Sequence, residues 1–284
     1  MSEANQADPP SDSSQAPERG GWVAVPARRV RANEAADVDD SVTEEWPVAL
    51  VYNGISHAVM MATPRDLEYL GIGFSVSEGI VASRSAILDI EVEMGAESAE
   101  IRLTLLQQAF MALKDHRRSM AGRSGCGVCG IESIELLDLH PLPIKARTAA
   151  DDIPATAIAR AARELPAHQT ISRLTGGAHA AAWCSKSGEI RHVFEDVGRH
   201  NAMDKLLGKL LSARASTTDG FVFLSSRASY ELVRKAARLD IPLVATISAP
   251  TSLAIDIATR AGVRLVSFCR GDGFVDFTAR RGAG

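Results

Sequence analysis

Cysteine is scarce in this sequence, with four residues in a chain of 284. So few thiols do not make a disulfide framework for a chain of this length, so we expect each to be reduced and either inert in a core or chemically used. No apolar run approaches the roughly 20 residues of a membrane-spanning helix. The opening stretch, MSEANQADPPSDSSQ, lacks the hydrophobic segment of a signal peptide. We therefore expect a cytoplasmic protein that makes no contact with a membrane.

An excess of charge is also absent, since the formal net charge is -4 and the isoelectric point is near 6.0. A chain with this balance has no overall electrostatic attraction to nucleic acid, so we expect no nucleic-acid partner. Hydrophobic residues make up 46% of the chain. That is enough for one large domain or two smaller ones with cores of their own.

The composition divides the chain into three parts. Residues 1–45 are rich in Pro, Ser, Ala and acidic residues, which predicts a disordered tail. Residues 46–145 predict a small α+β domain: Asn53-Gly54 indicates a hairpin turn, Thr63 caps a helix that ends at Gly79, and two strands and a further helix follow. A CxxC loop at residues 117–130 belongs to this domain.

Residues 146–284 predict an α/β domain. A helix after Pro154 is followed by a hairpin of two strands, and leucines at helical spacing mark a long helix after Asn201. Three strands then alternate with two helices, and Gly262 closes the second of them. This order favours a three-layer sandwich with helices on both faces of a mainly parallel sheet.

Polar or glycine-rich loops follow four of these strands, at residues 195–201, 225–229, 248–252 and 269–273. In such sheets ligands bind at the carboxyl ends of the strands, where helix N-termini present free amides to anions. Side chains suited to a phosphorylated ligand lie in these loops, namely the arginines Arg199, Arg227 and Arg270 and the hydroxyls of Ser226, Ser248 and Thr251. The alternative is that the loops only supply helix caps, for which Asn201, Ser229 and Thr251 are suitable.

The segment FEDVGRHNAMDK concentrates charged side chains beside a glycine. A carboxylate such as Asp196 could bind the amide edge of a guanine, and His200 could donate a proton. An ion-paired helix start explains the same residues equally well. His179 lies in an apolar strand, which favours a core position.

The segment RSGCGVCGIE contains Cys126 and Cys129. A zinc site would need an irregular set with His116 and His140, because Cys184 and Cys269 lie in separate predicted strands. A glycine-rich loop precedes the pair, which does not favour a thioredoxin-like dithiol. Thiolate chemistry remains, since nearby arginines favour ionised sulfur and the glycines allow the loop to move; these are Arg117, Arg118, Arg123, Gly125, Gly127 and Gly130.

Five motifs together resemble a known family. They are TPRDLEYLGIGFSVSEGI, GCGVCG, FEDVGRHNAMDK, SSRASYELVRKAARLDIPLVATISAPTSLAIDIA and VRLVSFCRGDGFVDFT, in this order between Trp46 and Thr278. The sequence is similar to the FdhD/NarQ family of formate dehydrogenase accessory sulfurtransferases. The resemblance implies a cytidine-deaminase-like α/β domain, but the H-x-E or C-x-E and P-C-x-x-C motifs of a zinc deaminase are absent, so no structural metal is expected.

The resemblance also implies a function: a sulfur carrier that accepts persulfide sulfur from a cysteine desulfurase and passes it to the molybdenum cofactor, as bis-molybdopterin guanine dinucleotide, before insertion into the formate dehydrogenase catalytic subunit. GDP would mimic a fragment of that client. Cys126 would bear the persulfide with Cys129 as its partner, and the cofactor-binding segment would be Phe268, Cys269, Arg270, Gly271, Asp272 and Gly273. A cofactor chaperone without sulfur transfer, a zinc-stabilised binding module and a homodimer are left open.

Overall fold

The computed structural model describes residues 20–32, 34–119, 139 and 141–279, and for residues 115–119 it describes the backbone alone. The predictions for Cys126, Cys129 and most of the CxxC loop therefore lie outside the described residues. Within the described ranges, no helix is long and apolar enough to cross a membrane.

An antiparallel ribbon precedes the first sheet. Its strands, β1 (Trp22–Arg31) and β2 (Glu34–Thr43), pair along their whole length and are mostly exposed. The base of the ribbon contacts the rest of the protein, since Thr43 Oγ1 lies 2.8 Å from Thr175 Oγ1. The prediction of a disordered tail to residue 45 is therefore wrong for this stretch, because strand pairing orders a composition that cannot form a core of its own. Residues 1–19 lie outside the described ranges.

Residues 46–119 contain β3 (Trp46–Tyr52), β4 (Ile55–Ala62), α1 (Leu67–Ser77), β5 (Ile87–Met94), β6 (Ala99–Leu105) and α2 (Gln107–Ser119). The four strands form one sheet, in the order β4-β3-β6-β5. Asn53 and Gly54 both have positive φ, at 47° and 79°, which is the tight turn that the sequence predicts. The next helix begins later than expected, because its N-cap is Asp66. Thr63 Oγ1 instead accepts a hydrogen bond from Val197 N, in the second half of the chain.

The second half contains α3 (Ala155–His168), α4 (Thr170–Thr175), β7 (His179–Ser185), β8 (Ile190–Asp196), α5 (Arg199–Ser212), β9 (Gly220–Leu224), α6 (Tyr230–Arg238), β10 (Leu243–Thr246), α7 (Ser252–Ala261), β11 (Arg264–Arg270) and β12 (Gly273–Asp276). Its six strands form one sheet, in the order β12-β11-β10-β9-β7-β8. Strands β9, β10 and β11 are parallel, β7 is antiparallel to β9, and β8 is antiparallel to β7 and so runs in the direction of β9.

Helices cover both faces of this sheet. Helix α3 packs on one face through Ile158 and Leu165, against Phe221 and Phe223. Helices α5, α6 and α7 pack on the other face. This arrangement has the three layers that the sequence predicts, with α4 and β12 as elements that it does not predict.

The two sheets share a hydrophobic core. Leu70 of α1, Leu103 of β6, Leu206 of α5 and Val222 of β9 belong to the same buried cluster. Helices α1 and α5 approach closely at Gly73, which has no side chain; a Cβ there would collide with the carbonyl oxygen of Asp204. A boundary near residue 145 therefore separates the sheets along the chain, but the packing does not divide there.

Candidate ligand site at the carboxyl edge of the six-stranded sheet

Strands β8, β9, β10 and β11 all end at one edge of the six-stranded sheet, because they run in the same direction. The loops that follow them, residues 195–201, 225–229, 248–252 and 269–273, are called the rim below. Backbone hydrogen bonds join the second and third loops: Ala228 N donates to Ala249 O at 3.2 Å, and Thr251 N donates to Ala228 O at 3.0 Å. The predicted convergence of the loops is therefore present in the fold.

Three arginines of the rim differ in exposure. Arg227 and Arg270 are exposed and form no ion pair with any described residue. Arg199 is half-buried, and its Nε atom has no hydrogen-bond partner among the described residues. All three lie in loops of the rim, where α5, α6 and α7 also begin. Guanidinium groups and the free amides of helix N-termini are both suited to anions.

The rim hydroxyls are partly committed to the fold. Thr251 Oγ1 accepts a hydrogen bond from Ala254 N at 3.2 Å and caps α7, as the alternative prediction states. Ser226 is buried, and its Oγ donates to Arg227 O at 3.1 Å. The carbonyl of Ser248 accepts a hydrogen bond from Thr246 Oγ1 at 2.9 Å, so the last residue of β10 holds the loop that follows it.

The other two suggested caps do not act as caps. Ser229 is the N-cap residue of α6 but makes no capping bond, and its Oγ donates to Glu231 instead. Asn201 lies inside α5, where its Nδ2 donates to Met61 O at 2.8 Å. It ties the second sheet to the first.

Asp196 is fully buried and has four hydrogen-bonding or ionic partners. Its Oδ1 accepts from Gly198 N and from Asn201 Nδ2, and its Oδ2 accepts from Thr63 N at 3.1 Å and lies 2.6 Å from Lys205 Nζ. A carboxylate whose two oxygens are both engaged inside the protein has little capacity for a guanine. The geometry therefore favours the ion-paired helix start over guanine recognition at this residue.

Glu195 also has a structural contact. Its two oxygens accept hydrogen bonds from Ile171 N and Ser172 N, both at 2.8 Å, and so satisfy the N-terminus of α4. Deeper in the fold, Asp204 lies 2.7 Å from Lys235 Nζ. Four charged side chains of FEDVGRHNAMDK are thus engaged in contacts within the fold: Glu195, Asp196, Asp204 and Lys205.

His179 lies at the rim, although its apolar neighbours predict a core position. It is the first residue of β7 and pairs with Asp196 at the end of β8, because these strands are antiparallel. Burial, and the positive charge of Arg199, lower the pKa of His179 below its usual value. The signal that could have placed it is the hairpin itself, which brings the start of β7 to the end of β8.

His200 contacts the adjacent helix. Its Nε2 lies 2.7 Å from Glu231 Oε2 at the start of α6. Although burial opposes it, the hydrogen bond and charge of His200 lower the pKa of Glu231. The imidazole is therefore held by a carboxylate at the start of α6.

The segment 268–273 turns from β11 into β12 at the rim. Phe268 is 43% exposed, whereas Cys269 is 2% exposed, and burial raises the pKa of the Cys269 thiol to about 11. Arg270, Gly271, Asp272 and Gly273 are all exposed. Cys269 is thus a neutral core residue beneath the rim, and Cys184 is likewise buried.

Metal ligation finds no support in the described ranges. Among these residues no three His, Cys, Asp or Glu side chains come together as a metal site would require. The set of Cys126, Cys129, His116 and His140 is not tested by this observation, because the side chains of these residues lie outside the description.

The fold and rim define a mixed α/β protein in which the loops at the carboxyl edge of the larger sheet carry three arginines. Residues 43–282 match the model of the FdhD/NarQ family. A sulfur carrier protein FdhD of Burkholderia cenocepacia is 62% identical over 90% of this chain and 94% of its own. A protein of the same name from Chromobacterium violaceum is 64% identical over 84% of this chain and 89% of its own.

A solved structure gives the same fold. The crystal structure described as a formate dehydrogenase accessory protein from Desulfotalea psychrophila has a TM-score of 0.69 and 24% identity, covering 91% of this chain and 97% of that one. The chain belongs to the FdhD/NarQ family. The cytidine-deaminase likeness implied by the sequence stays a prediction.

Proposed function

We propose that this protein is a sulfur carrier that accepts persulfide sulfur from a cysteine desulfurase and passes it to molybdenum bis-molybdopterin guanine dinucleotide, for insertion into formate dehydrogenase. The observation that carries the proposal is the family match over residues 43–282, a range that includes both GCGVCG and every loop of the rim. Close relatives bear the name sulfur carrier protein.

The first step is a thiol–disulfide exchange at the CxxC motif. The Cys126 thiolate attacks the terminal sulfur of the desulfurase persulfide, the bond between the two donor sulfurs breaks, and the donor cysteine leaves as a thiolate. The product is a persulfide on Cys126, so no external oxidant or reductant is needed. The rate depends on the thiolate fraction and on access to the sulfur.

Release of the sulfur as sulfide needs two electrons, and Cys129 can supply them. The Cys129 thiolate attacks the inner sulfur of the Cys126 persulfide, a disulfide forms, and hydrosulfide leaves for the acceptor. This assigns Cys129 the role of resolving thiol. A reductant of the thioredoxin or glutathione class then restores both thiols.

The rim would hold the acceptor rather than catalyse a proton transfer. Arg199, Arg227 and Arg270 are suited to the pyrophosphate of a guanine dinucleotide, because guanidinium groups bind phosphate oxygens in a bidentate manner. The N-termini of α5, α6 and α7 add backbone donors at the same edge. Holding two reactants together is itself a large contribution to rate.

Persulfide mapping tests the proposal. The protein is incubated with a cysteine desulfurase and cysteine, and added sulfur is located by mass spectrometry of its peptides. We expect sulfur on Cys126, with Cys184 and Cys269 unlabelled because both are buried. Absence of label from Cys126 and Cys129 refutes a carrier.

Full rescue of formate dehydrogenase activity by a Cys126→Ala, Cys129→Ala variant would instead support a cofactor chaperone.

A further inference from the structure

Strand β5 lies at the end of the four-stranded sheet and, among the described residues, pairs with β6 alone. In an antiparallel pair, every second residue of the outer strand directs its N–H and C=O away from the neighbouring strand. Such a row of backbone groups is a template for a further strand. A bulge between Ile87 and Asp89 interrupts the register at one end of β5. Residues 89–94, which follow the bulge, are called the free edge below.

The side chains of the free edge alternate between acidic and apolar. The acidic residues share one face of the sheet and are all exposed; they are Asp89, Glu91 and Glu93. On the other face, Val92 and Met94 remain 37% and 36% exposed. Asp and Glu are poor strand formers, and side chains this exposed add little to the stability of the fold. The pattern is therefore typical of a strand that pairs with another chain.

The charge of the free edge has one sign. Strands β5 and β6 together contain one basic residue, Arg102, whose Nη2 lies 2.7 Å from Glu93 and whose Nε lies 2.6 Å from Glu100. Asp89 and Glu91 form no ion pair with any residue in the described part of the chain. Oppositely charged side chains on neighbouring strands stabilise a pair. The free edge is thus complementary to a strand that carries Lys or Arg at alternate positions.

The same strand of a second copy does not have this complementarity. Antiparallel pairing of two β5 strands would bring the carboxylates of Asp89, Glu91 and Glu93 beside those of the partner. Like charges on neighbouring strands are destabilising. The charge therefore favours a different chain as the occupant.

We propose that the free edge of β5 is the docking site of the cysteine desulfurase, which adds an extended segment of alternating basic and apolar residues to the sheet. Backbone hydrogen bonds along the edge supply affinity, as in other cases of strand addition, and side chains supply specificity. The basic side chains lie beside Asp89 and Glu91, and the apolar ones lie beside Val92 and Met94. The inference rests on the proposed function, because it names the place where the sulfur donor binds.

The donor is the partner that the position of β5 favours. Strand β6, which pairs with β5, leads directly into α2, and six residues separate Ser119, the last residue of α2, from Cys126. A donor held on this sheet is therefore held on the part of the chain that leads to the receiving thiol. The rim, which we propose for the acceptor, belongs to the other sheet. Holding the donor in this way contributes to the rate of sulfur transfer.

Calorimetric titration with a purified cysteine desulfurase tests the site. The double variant Asp89→Lys, Glu91→Lys should bind it at least about tenfold more weakly, because two attractions become repulsions. Asp37→Lys, Asp39→Lys is the matched control, since it reverses two exposed carboxylates with the same spacing on β2. The control should bind within about twofold of the wild type. Both variants should unfold within about 4 °C of the wild type, and the milder Asp89→Asn, Glu91→Gln should show a smaller loss of affinity.

Amide hydrogen exchange of the complex detects the added strand. The desulfurase should slow exchange in residues 89–94 and leave the ribbon of β1 and β2 unchanged. Raising the salt concentration should weaken binding, because the carboxylates of the free edge are exposed.

Three results overturn the docking site. The first is wild-type affinity in Asp89→Lys, Glu91→Lys, or no binding of the desulfurase by the wild type. The second is unchanged exchange in residues 89–94 at saturating desulfurase. The third is slowed exchange there in the absence of desulfurase, with self-association in sedimentation that the double variant loses, which would make the edge a contact between copies.

Persulfide mapping separates this inference from the carrier proposal. In the double variant, labelling of Cys126 should need a higher desulfurase concentration but reach the wild-type rate at saturation. Slowed exchange at the free edge without label on Cys126 or Cys129 keeps the docking site and removes sulfur transfer. Equal labelling of the wild type and the double variant at every desulfurase concentration keeps the carrier and removes the docking site.

Discussion

Lys205 Nζ lies 2.6 Å from Asp196 Oδ2, and both side chains are completely buried. The same ammonium donates to Thr63 O at 3.0 Å, and the same carboxylate oxygen accepts from Thr63 N. This buried ion pair thus holds Thr63, the residue that follows β4, against α5. Because α5 begins at the rim, the pair also fixes where Arg199 and His200 stand.

Lys205→Met should destabilise the protein by about 3–5 kcal/mol, because it leaves the Asp196 carboxylate buried without a counter-charge. Urea unfolding measures the loss. Adding Asp196→Asn should recover part of it, since a neutral amide no longer needs that charge. The exposed pair of Arg160 and Glu164 is the control, and Arg160→Met should cost less than about 0.5 kcal/mol. A loss below about 1 kcal/mol in Lys205→Met would show that the buried pair of Lys205 and Asp196 does not stabilise the fold in this way.

Glu78 should make the stability of the folded protein depend on pH. Although burial opposes it, the charges of Lys235 and Arg234 lower the pKa of Glu78 to about 2. A lowered carboxyl pKa gives stability that is present above the unfolded value near 4.5 and is lost as the pH falls toward 2. Glu78→Gln should therefore be less stable by up to about 3 kcal/mol at pH 7, and the gap should shrink to roughly half by pH 3.

Denaturant unfolding of both proteins from pH 7 to pH 3 measures this gap. Glu164→Gln, at the surface beside Arg160, is the matched control and should differ little from the wild type throughout. If the difference in stability between the wild type and Glu78→Gln stays constant over this range, the charge of the Glu78 carboxylate is not what stabilises its contacts with Lys235 and Arg234.

Gly73→Ala distinguishes helix propensity from helix packing. In an isolated helix the change would stabilise by about 1 kcal/mol. Here the new methyl group would meet the carbonyl of Asp204, a backbone atom that cannot move aside, so we expect a loss of about 3 kcal/mol or more. Gly54→Ala, which adds a methyl group in open space at φ 79°, should lose only about 1–2 kcal/mol. Thermal unfolding compares the two, and a more stable Gly73→Ala protein contradicts the close crossing.

Local patterns predicted the parts of this fold that depend on local structure. The Asn53-Gly54 turn, the leucine-rich α5 and the strand–helix alternation after residue 220 are set by neighbours in sequence, and all are present. The position of His179 at the rim depends on strand direction, and the burial of Asp196 depends on a partner more than a hundred residues away. Composition alone could not show that the polar stretch 22–43 pairs with itself.

Arg227 and Arg270 should bind the phosphates of GDP. Arg227→Ala and Arg270→Ala should each weaken GDP binding by about tenfold, because each removes a charge-assisted contact to phosphate. The loss should shrink as salt is raised, since both side chains are exposed. Arg191→Ala is the control, because this exposed arginine lies near the start of β8, at the opposite edge. Unchanged affinity in both rim variants would remove these arginines from the site.

Cys129→Ser should trap the carried sulfur. If Cys129 resolves the persulfide, its loss prevents formation of the disulfide that releases hydrosulfide, because the serine hydroxyl cannot attack sulfur in this way. After incubation with desulfurase and cysteine, the variant should hold more persulfide on Cys126 than the wild type does when an acceptor for hydrosulfide is present. Cys126→Ser should hold none on either residue if Cys126 alone accepts sulfur. Persulfide that leaves Cys129→Ser as fast as it leaves the wild type shows that an external thiol, rather than Cys129, supplies the two electrons.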